Sequence, residues 1–227
     1  MKVDRPDIEL IERIKKLPTA SVYTALWKLN YRNIWMKEIK PITVKETTLC
    51  GPAITLRYVP FRREEVIDYR ESSAFKAIES IKKGDLMVCD AIGFPAGVFG
   101  DCMVLGLKEK GGIGLIIDGG VRDTPQIKKL NFPVFAKYVT PAHIHGRVIP
   151  IEFNSIIQCG GVQVRPGDVI LADADGVVCI PKEVLLEVIE EAEKTELLDE
   201  ESRRRILSGL PIYECYPPRE EWLTKNK

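Results

Sequence analysis

The sequence predicts an α/β protein in which short buried strands alternate with amphipathic helices. Compact apolar runs bounded by glycine, proline or aspartate are typical of strands, as over Cys50–Val59, Leu86–Cys89 and Ile113–Ile117. Segments with one apolar face that follow a proline are typical of helices, as from Pro6 to Leu17 and from Pro181 to Ser208. This alternation favours a layered fold with mixed sheets flanked by helices.

Length and charge limit the classes of function. A chain of 227 residues can bury a substantial core. We expect one domain over 1–227, with N-terminal helices over about 6–29 and a C-terminal helical extension over about 181–209. The 33 Lys and Arg residues balance 33 Asp and Glu residues, so the chain lacks the basic character of proteins that bind nucleic acid or anionic membranes. We therefore expect neither nucleic acid nor membrane as a partner.

The cysteines indicate a reducing compartment. There are six of them, without a C-x-x-C motif or zinc-type spacing, and most lie in apolar runs such as the one around Cys179. Buried free thiols are the favoured interpretation. No stretch has the length and apolar character of a membrane span, and the first residues do not resemble a signal peptide. These observations predict a cytoplasmic protein.

Several further elements are predicted between the two ends. Thr19 is expected to cap a second helix that runs to about Leu29. The remaining predictions, in chain order, are a charged surface connection over Phe61–Asp68, a helix over Ser72–Ile81, a loop over Gly93–Gly97, a helix from Thr124 to about Asn131, a strand over Pro133–Lys137 and a hairpin around a Pro-Gly-Asp turn over Gly160–Asp173.

Two short motifs have both a structural and a functional interpretation. Asp173 and Asp175 resemble a metal-binding pair, but a tight turn into the next strand is favoured. His143 and His145 would share a face on a strand, where two imidazoles can hold zinc. The sequence places no third ligand near them, so a polar loop or strand edge is favoured.

The stretch from Gly97 to Pro125 organises the rest of the chain. Asp101 is expected to be the N-cap of a helix over Cys102–Lys110. The strand over Ile113–Ile117 follows, and Asp118-Gly119-Gly120 is expected to end it.

The lengths of these elements bring two distant points together. The helix and the returning strand cover roughly equal distances, about 13 Å and about 17–20 Å, so Arg122 and Asp123 should lie at the same end as Asp101. The unpaired N–H groups of the helix start, including those of Cys102 and Met103, favour an anion there. A guanidinium can grip a carboxylate, and two carboxylates can hold a hard cation. Each residue alone has a structural explanation as a cap, a surface ion pair or a turn, but their convergence favours function.

These residues also resemble a known family. Asp101 and Arg122-Asp123 match the D-x20-R-D pattern of class II 4-hydroxy-4-methyl-2-oxoglutarate aldolases, whose relatives include RraA-like proteins that inhibit a ribonuclease. The resemblance runs from about Leu17 to Pro217. Its further motifs are Gly-Asp-Leu at 84–86, Gly100-Asp101, the run 118–123, Pro166-Gly167-Asp168 and the run 172–177.

The resemblance implies a fold, an assembly and a reaction. The implied fold is a swivelling β/β/α-type sandwich, assembled as a homotrimer or a homohexamer. The implied activity is divalent-metal-dependent cleavage of a 4-hydroxy-2-oxo acid to pyruvate through a stabilised enolate, and oxaloacetate decarboxylation would use the same enolate.

The resemblance also implies roles for individual residues. Asp123 would hold Mg²⁺ or Mn²⁺, and Asp101 would orient the water that moves the proton. The amides of Gly100, Asp101, Cys102 and Met103 would receive the carboxylate of a small 2-oxo acid, with Arg122 beside its keto oxygen. The family places a C-terminal acidic residue in the next subunit's site, for which Asp199 and Glu200 are candidates, and the charged helix after Glu193 is typical of one that packs on a neighbour.

Other functions remain in view. The runner-up is an RraA-like regulator that binds a ribonuclease without chemistry. The presence of Asp101 favours the enzyme, because such regulators tend to lack an acidic residue there. An enzyme with the same enolate chemistry acting on a different sugar-derived oxo acid is another alternative. No glycine-rich phosphate loop opens a helix, which disfavours a methyltransferase, and no lysine stands in an apolar setting suited to a Schiff base.

Overall fold

The computed structural model describes residues 3–44, 47–63 and 68–224. Part of the charged connection predicted over Phe61–Asp68 lies outside the described residues, so that prediction is only partly tested. The prediction of one domain over 1–227 stays a prediction.

Helices and strands alternate as predicted. The helices are α1 Ile8–Ile14, α2 Thr19–Lys28, α3 Ser73–Glu79, α4 Asp101–Glu109, α5 Thr124–Lys129, α6 Leu185–Leu207, α7 Ile212–Cys215 and α8 Glu221–Thr224, with 3-10 turns at Tyr69–Glu71 and Lys182–Val184. The strands are β1 Lys40–Pro41, β2 Leu49–Pro60, β3 Leu86–Phe99, β4 Gly114–Val121, β5 Val134–Val139, β6 Val148–Phe153, β7 Ile157–Cys159, β8 Val162–Val164, β9 Val169–Ala172 and β10 Val177–Ile180.

One eight-stranded mixed sheet forms the centre of the molecule. Its order is β1-β5-β4-β3-β2-β9-β10, and β6 also pairs with β2. The four middle strands β5, β4, β3 and β2 are parallel, whereas β9, β10 and β6 are antiparallel to their neighbours. β7 and β8 form a separate two-stranded sheet. The predicted α/β class is confirmed.

Helices cover the sheet through two apolar clusters. In the first, α3 and α4 pack against the parallel strands through buried residues such as Ile78, Val104 and Leu107. In the second, α1, α2 and α6 pack against β9 and β10, with Leu26 and Val188 buried between them. The parallel part of the sheet thus has a strand–helix–strand arrangement, β3-α4-β4-α5-β5, in which the carboxyl ends of the strands meet at one edge.

β3 and β4 are longer than the sequence patterns predicted. The expected loop over Gly93–Gly97 belongs to β3, and Asp118-Gly119-Gly120 lies inside β4 instead of ending it. The register shifts where the predictions failed: Asp90 pairs with Asp118, but Phe94 then pairs with Gly119. Extra residues on β3 bulge out while pairing continues, and a bulge interrupts the regular alternation on which strand prediction relies.

The hairpin predicted over Gly160–Asp173 is wrong, although its turn is present. The N–H of Arg165 donates to Asp168 Oδ2 at 2.8 Å and closes the Pro-Gly-Asp turn. The two strands on either side enter different sheets, since β8 pairs with β7 and β9 pairs with β2 and β10. Pairing partners of a strand are decided by the buried surfaces available to it, which the turn alone does not reveal.

The cap of α2 also differs from the prediction. Thr19 is the first helical residue and not the cap, and Pro18 precedes it without a side-chain hydrogen bond. Asp173 performs this role from far along the chain, because Thr19 donates its N–H to Asp173 Oδ2 at 2.9 Å and its hydroxyl to Oδ1 at 2.8 Å. The N–H of Asp175 donates to Asp173 Oδ1 at 2.9 Å, so the favoured tight-turn interpretation of this pair is confirmed.

A long helix lies within the range predicted for the C-terminal extension, and its charges have partners within the chain. The helix α6 begins after the 3-10 turn that follows Pro181 and ends before Gly209. Glu193 pairs with Arg13 at 2.9 Å and Glu191 pairs with Lys28 at 2.6 Å, which joins α6 to α1 and α2. The charge on this helix therefore does not by itself require a neighbouring subunit.

Most thiols are buried, as the sequence predicted. Cys102 is exposed and the other five are buried and free of disulfide bonds. Burial raises the pKa of the Cys50 thiol to about 12. Within the ranges described above, no helix is both long enough and apolar enough to cross a membrane.

The Asp173 cap can be tested by substitution. We expect Asp173→Ala to reduce the free energy of unfolding by about 1–2 kcal/mol, because α2 loses its cap and the Thr19 hydroxyl loses its acceptor. Asp175→Ala is the control, since this exposed side chain should change stability by less than about 0.5 kcal/mol. Urea denaturation monitored by circular dichroism measures both, and equal stability of the two variants would contradict the capping role.

Candidate functional site

The predicted convergence around Asp101 is present. The helix α4 starts where β3 ends, and Arg122 and Asp123 follow the end of the adjacent parallel strand β4. These segments line one cleft of about 360 Å³. Its lining residues are Phe75, Gly97, Val98, Gly100, Asp101, Cys102, Met103, Arg122, Asp123, His143, Ile144 and His145. Asp101, Arg122, Asp123 and the residues whose amides were predicted to bind the substrate are all among them.

Two glycines at the end of β3 leave the space that the side chains of Arg122 and Asp123 occupy. A methyl group at Gly97 would lie 2.8 Å from both Cβ and Cγ of Arg122, and one at Gly100 would lie 2.6 Å from Asp123 Oδ2. Real Cβ atoms do not approach other atoms this closely. The Arg122 side chain therefore lies across Gly97, on space that only glycine leaves open.

Asp123 has an unusual backbone. Its φ of 56° and ψ of 29° are left-handed, a conformation that aspartate and asparagine adopt more readily than most residues. Although it precedes α5, its side chain makes no capping hydrogen bond. Instead, Asp123 Oδ2 accepts a hydrogen bond from Arg122 Nε at 3.1 Å, and both side chains are about one-third exposed, at 34% and 38%. The Asp123 carboxylate thus lines the cleft and does not cap the helix that follows it.

Asp101 is not the N-cap that the sequence predicted. Gly100 occupies that position with φ of −119°, and Asp101 is the first residue of α4. The Asp101 carboxylate instead accepts the N–H of Cys102 at 2.9 Å. Cys102 is consequently less available to an anion than expected, whereas the acidic side chain stands at the positive end of the helix, where it is stabilised.

The histidines also belong to the cleft. The sequence favoured a polar edge for His143 and His145 and offered zinc as the alternative. The rings contact each other at 5.0 Å between centroids and lie beside the residues around Asp101. Within the described ranges no three His, Cys, Asp or Glu side chains form a metal-binding group, so the zinc alternative lacks a third ligand. The only signal in the sequence was that the two histidines are separated by one residue. Their place in the cleft was not predicted, because about 40 residues separate them from Asp101 along the chain.

A second cluster of charges near Asp118 is structural. Asp118 Oδ1 pairs with Lys137 Nζ at 2.8 Å, and Oδ2 accepts the N–H of Gly160 at 2.8 Å. Neighbouring Asp90 accepts the N–H of Ile92 at 3.0 Å, although burial raises the pKa of its carboxyl above the usual range. Asp90, Asp118 and Lys137 line a different cavity of about 410 Å³, and none of these three lines the cleft.

The C-terminal candidates do not reach the cleft of their own chain. Neither Asp199 nor Glu200 lines it, because α6 packs on the opposite part of the fold with α1 and α2.

The carboxylates of the cleft fit one kind of cation. Asp101 and Asp123 both line the cleft, and among the described residues no three or more His, Cys, Asp or Glu side chains form a group that could hold a metal ion. A structural zinc ion requires four protein ligands, whereas Mg²⁺ commonly uses one or two carboxylates and keeps several waters. The donor set therefore suits Mg²⁺ or Mn²⁺.

Comparison with known proteins identifies the family. A model of the RraA-like family, described as Aldolase/RraA, matches residues 19–179, which contain nearly all of the sheet and every residue that lines the cleft. The chain belongs to the RraA-like family. The resemblance noted in the sequence is confirmed.

Relatives of this RraA-like chain carry different names. An uncharacterized protein of Methanocaldococcus jannaschii is 37% identical over 75% of this chain and 79% of its own length. A Halalkalibacterium halodurans protein, provisionally named a 4-hydroxy-4-methyl-2-oxoglutarate aldolase, is 33% identical over 91% of this chain and 92% of its own length. Streptomyces coelicolor RraAS2, described as an unusual member of the RNase ES inhibitor RraA protein family, superimposes with a TM-score of 0.82. That structure is 29% identical and covers 89% of this chain and 99% of its own.

The packing of Arg122 on Gly97 can be tested with a pair of glycine variants. We expect Gly97→Ala to displace Arg122 and to reduce the free energy of unfolding by about 1–3 kcal/mol, because the added methyl group overlaps the start of that side chain. Gly106→Ala is the control, since its methyl group would meet only Ile78 at 3.5 Å, and alanine favours the helix. Chemical denaturation and a crystal structure of each variant measure the effect. An unmoved Arg122 in Gly97→Ala would refute this account.

Proposed function

We propose that this protein is a divalent-metal-dependent lyase that cleaves a 4-hydroxy-2-oxo acid, of the 4-hydroxy-4-methyl-2-oxoglutarate type, to pyruvate. The observation that carries the proposal is the meeting of Asp101, Arg122 and Asp123 with the start of α4 in one cleft. The names of the Halalkalibacterium protein and other relatives support the substrate class.

The positive end of α4 binds the substrate carboxylate in this proposal. The sequence offered the amides from Gly100 to Met103 for this role, and those of Asp101 and Met103 in the first helical turn favour an anion, whereas the N–H of Cys102 already donates to the Asp101 carboxylate. Arg122 then lies beside the keto oxygen, where negative charge accumulates as the bond between C3 and C4 breaks. A guanidinium already in position stabilises that charge without reorganisation, which is commonly the largest contribution to such catalysis.

The two carboxylates divide the remaining work. Asp123 would hold the cation, with Asp101 close by, and the bound cation would add electrostatic stabilisation of the enolate. Asp101 orients a water that takes the proton of the C4 hydroxyl as the C3–C4 bond breaks and that returns a proton to C3 of the enolate to give pyruvate. Loss of carbon dioxide from oxaloacetate gives the same pyruvate enolate, so we propose oxaloacetate decarboxylation as a second activity of this cleft.

Binding without chemistry is the second candidate. The likeness to RraAS2 favours a regulator that docks on a ribonuclease, since that structure is described within the RNase ES inhibitor family. A docking protein would need Arg122 and Asp123 only as a surface pair. The pair instead lies on glycine-made space inside a cleft, which supports the enzyme.

We further propose a homotrimer or homohexamer in the cytoplasm. Asp199 or Glu200 of a neighbouring copy is the candidate that would complete the cleft. Free cysteines throughout the described chain fit a reducing compartment.

Removal of the metal or of its ligand tests the mechanism. We expect excess EDTA, or Asp123→Asn, to abolish pyruvate release from a panel of 4-hydroxy-2-oxo acids and oxaloacetate. Asparagine tolerates the left-handed backbone and keeps an oxygen for Arg122, so the melting temperature should stay within a few degrees of wild type. Pyruvate is measured with a coupled lactate dehydrogenase assay. Full turnover in EDTA would exclude the proposed role of the cation.

Arg122→Lys separates the lyase from the docking protein. An ammonium group cannot reproduce planar two-point donation, and loss of one positioned donor typically lowers turnover by about 10²–10³. Arg57→Lys is the control, because Arg57 also pairs with a carboxylate, Glu152 at 2.9 Å, but lies outside the cleft. We expect only the first variant to lose pyruvate release, with unchanged melting temperatures for both. Wild-type rates in Arg122→Lys would identify Arg122 as a surface pair.

A further inference from the structure

A groove between α3 and α4 adjoins the cleft. Its volume is about 270 Å³, and its lining residues are Phe75, Ile78, Glu79, Cys102, Met103 and Gly106. Phe75, Cys102 and Met103 also line the cleft around Asp101, so the two spaces share these side chains. The groove therefore begins at the start of α4, where the proposed reaction takes place, and continues along that helix to Gly106.

The lining of the groove is mostly apolar. Phe75 and Ile78 are three residues apart on α3, and Met103 and Gly106 are three residues apart on α4, so each pair shares one face of its helix. Ile78 is buried, and Met103 is half-buried against the same apolar cluster. The Phe75 ring is 41% exposed at the junction with the cleft. Apolar surface of this kind gains most from contact with an apolar group.

Gly106 leaves the groove unfilled. A methyl group added there would meet, outside its own helix, only Ile78 Cγ2 at 3.5 Å, which is an ordinary contact. Close packing therefore does not require glycine at this position, and glycine weakens a helix relative to alanine. What the missing side chain provides is space between the two helices.

The far end of the groove is polar. Glu79 is the last residue of α3, and its carboxylate pairs with the ammonium group of Lys110, which follows α4. Among the described residues that line the groove, none is cationic, and the charge of Lys110 is already engaged by Glu79. The Glu79 carboxylate repels a further anion. The occupant that this lining favours is an uncharged apolar group.

The dimensions of the groove limit the size of that group. A cavity of about 150 Å³ holds a benzene molecule, so 270 Å³ accommodates a larger group. The five residues from Asp101 to Gly106 rise about 7.5 Å along α4. With C–C bonds of about 1.5 Å, a chain of roughly six carbons covers this distance.

We propose that the groove holds a long apolar substituent on C4 of the substrate, and that Gly106 determines the length that is accepted. This inference rests on the proposed function and adds substrates such as 4-hydroxy-2-oxodecanoate. When its C3–C4 bond breaks, the C4 hydroxyl gives its proton to water and C4 becomes the carbonyl carbon of heptanal. The electron pair of the bond passes to C3 of the pyruvate enolate, which takes a proton from water, so no further reactant is needed.

Binding of two 2-oxo acids that cannot be cleaved tests the groove. 2-Oxopentanoate and 2-oxodecanoate have the same head group, lack the C4 hydroxyl and differ by five methylene groups. Burial of one methylene is worth about fourfold in affinity, so burial of only two of the five makes 2-oxodecanoate bind about tenfold or more tightly. Isothermal titration calorimetry with the Mg²⁺-loaded full chain measures both affinities.

Gly106→Leu fills the groove without changing a residue of the cleft. Leucine favours helices, and we expect the preference for 2-oxodecanoate to fall to about threefold or less while affinity for 2-oxopentanoate stays within about twofold. Glu109→Leu is the matched control, because it adds the same side chain to α4 at an exposed position that does not line the groove. This control should keep the wild-type preference.

A second variant keeps the test independent of the folding of Gly106→Leu. Phe75→Ala removes the half-exposed ring at the junction and should lower the preference by about threefold or more. The inference is overturned if wild type binds both ligands alike or neither, as expected if a second copy of the chain covers the groove. It is also overturned if Gly106→Leu weakens both ligands equally, if Glu109→Leu loses the preference as well, or if Phe75→Ala retains it.

Pyruvate release separates the groove from the lyase. The wild-type protein should release pyruvate and heptanal from 4-hydroxy-2-oxodecanoate. A clear preference for 2-oxodecanoate without pyruvate release from any 4-hydroxy-2-oxo acid would leave the groove as a ligand site and contradict the lyase. Pyruvate release from short substrates with equal binding of the two ligands would contradict the groove and support the lyase.

Discussion

The parallel pairing of β3 with β4 is the constraint on which the cleft depends. Because both strands run in the same direction, the start of α4 and the Arg122-Asp123 pair emerge at the same edge of the sheet. Phe99 pairs with Val121, and the N–H of Arg122 donates to the Phe99 carbonyl at 3.0 Å, one step beyond the strand. This last hydrogen bond fixes the residue after β4 against the last residue of β3. A shift of the pairing by one residue would turn Arg122 to the other face of the sheet.

Membership of the RraA-like family does not by itself determine whether the protein is an enzyme. Related RraA-like chains carry the names of both aldolases and ribonuclease inhibitors, and the same fold serves both descriptions. Function on a shared fold resides in particular side chains. Here Gly97 and Gly100 leave the space that Arg122 and Asp123 occupy, and these two side chains are the ones on which the proposed chemistry depends.

Local geometry was readable from the sequence, whereas long-range pairing was not. The meeting of Asp101 with Arg122 follows from the lengths of one helix and one strand, and the structure contains it. The cap of α4 was misassigned because the preference of aspartate for that position is only statistical, and the backbone of Gly100 takes it. The bulges of β3 and the docking of His143 beside Gly97 arise from contacts between distant segments, which no spacing in the sequence reports.

The attachment of the N-terminal helices has a consequence for synthesis on the ribosome. Thr19 depends on Asp173, 154 residues later, and Arg13 depends on Glu193, 180 residues later. The first two helices are therefore made long before the surface that holds them leaves the exit tunnel. Such non-local contacts form late and slow folding, and the apolar faces of α1 and α2 stay uncovered until the last quarter of the chain arrives. In a nascent chain, α1 and α2 are therefore the segment that a chaperone at the tunnel exit would shield.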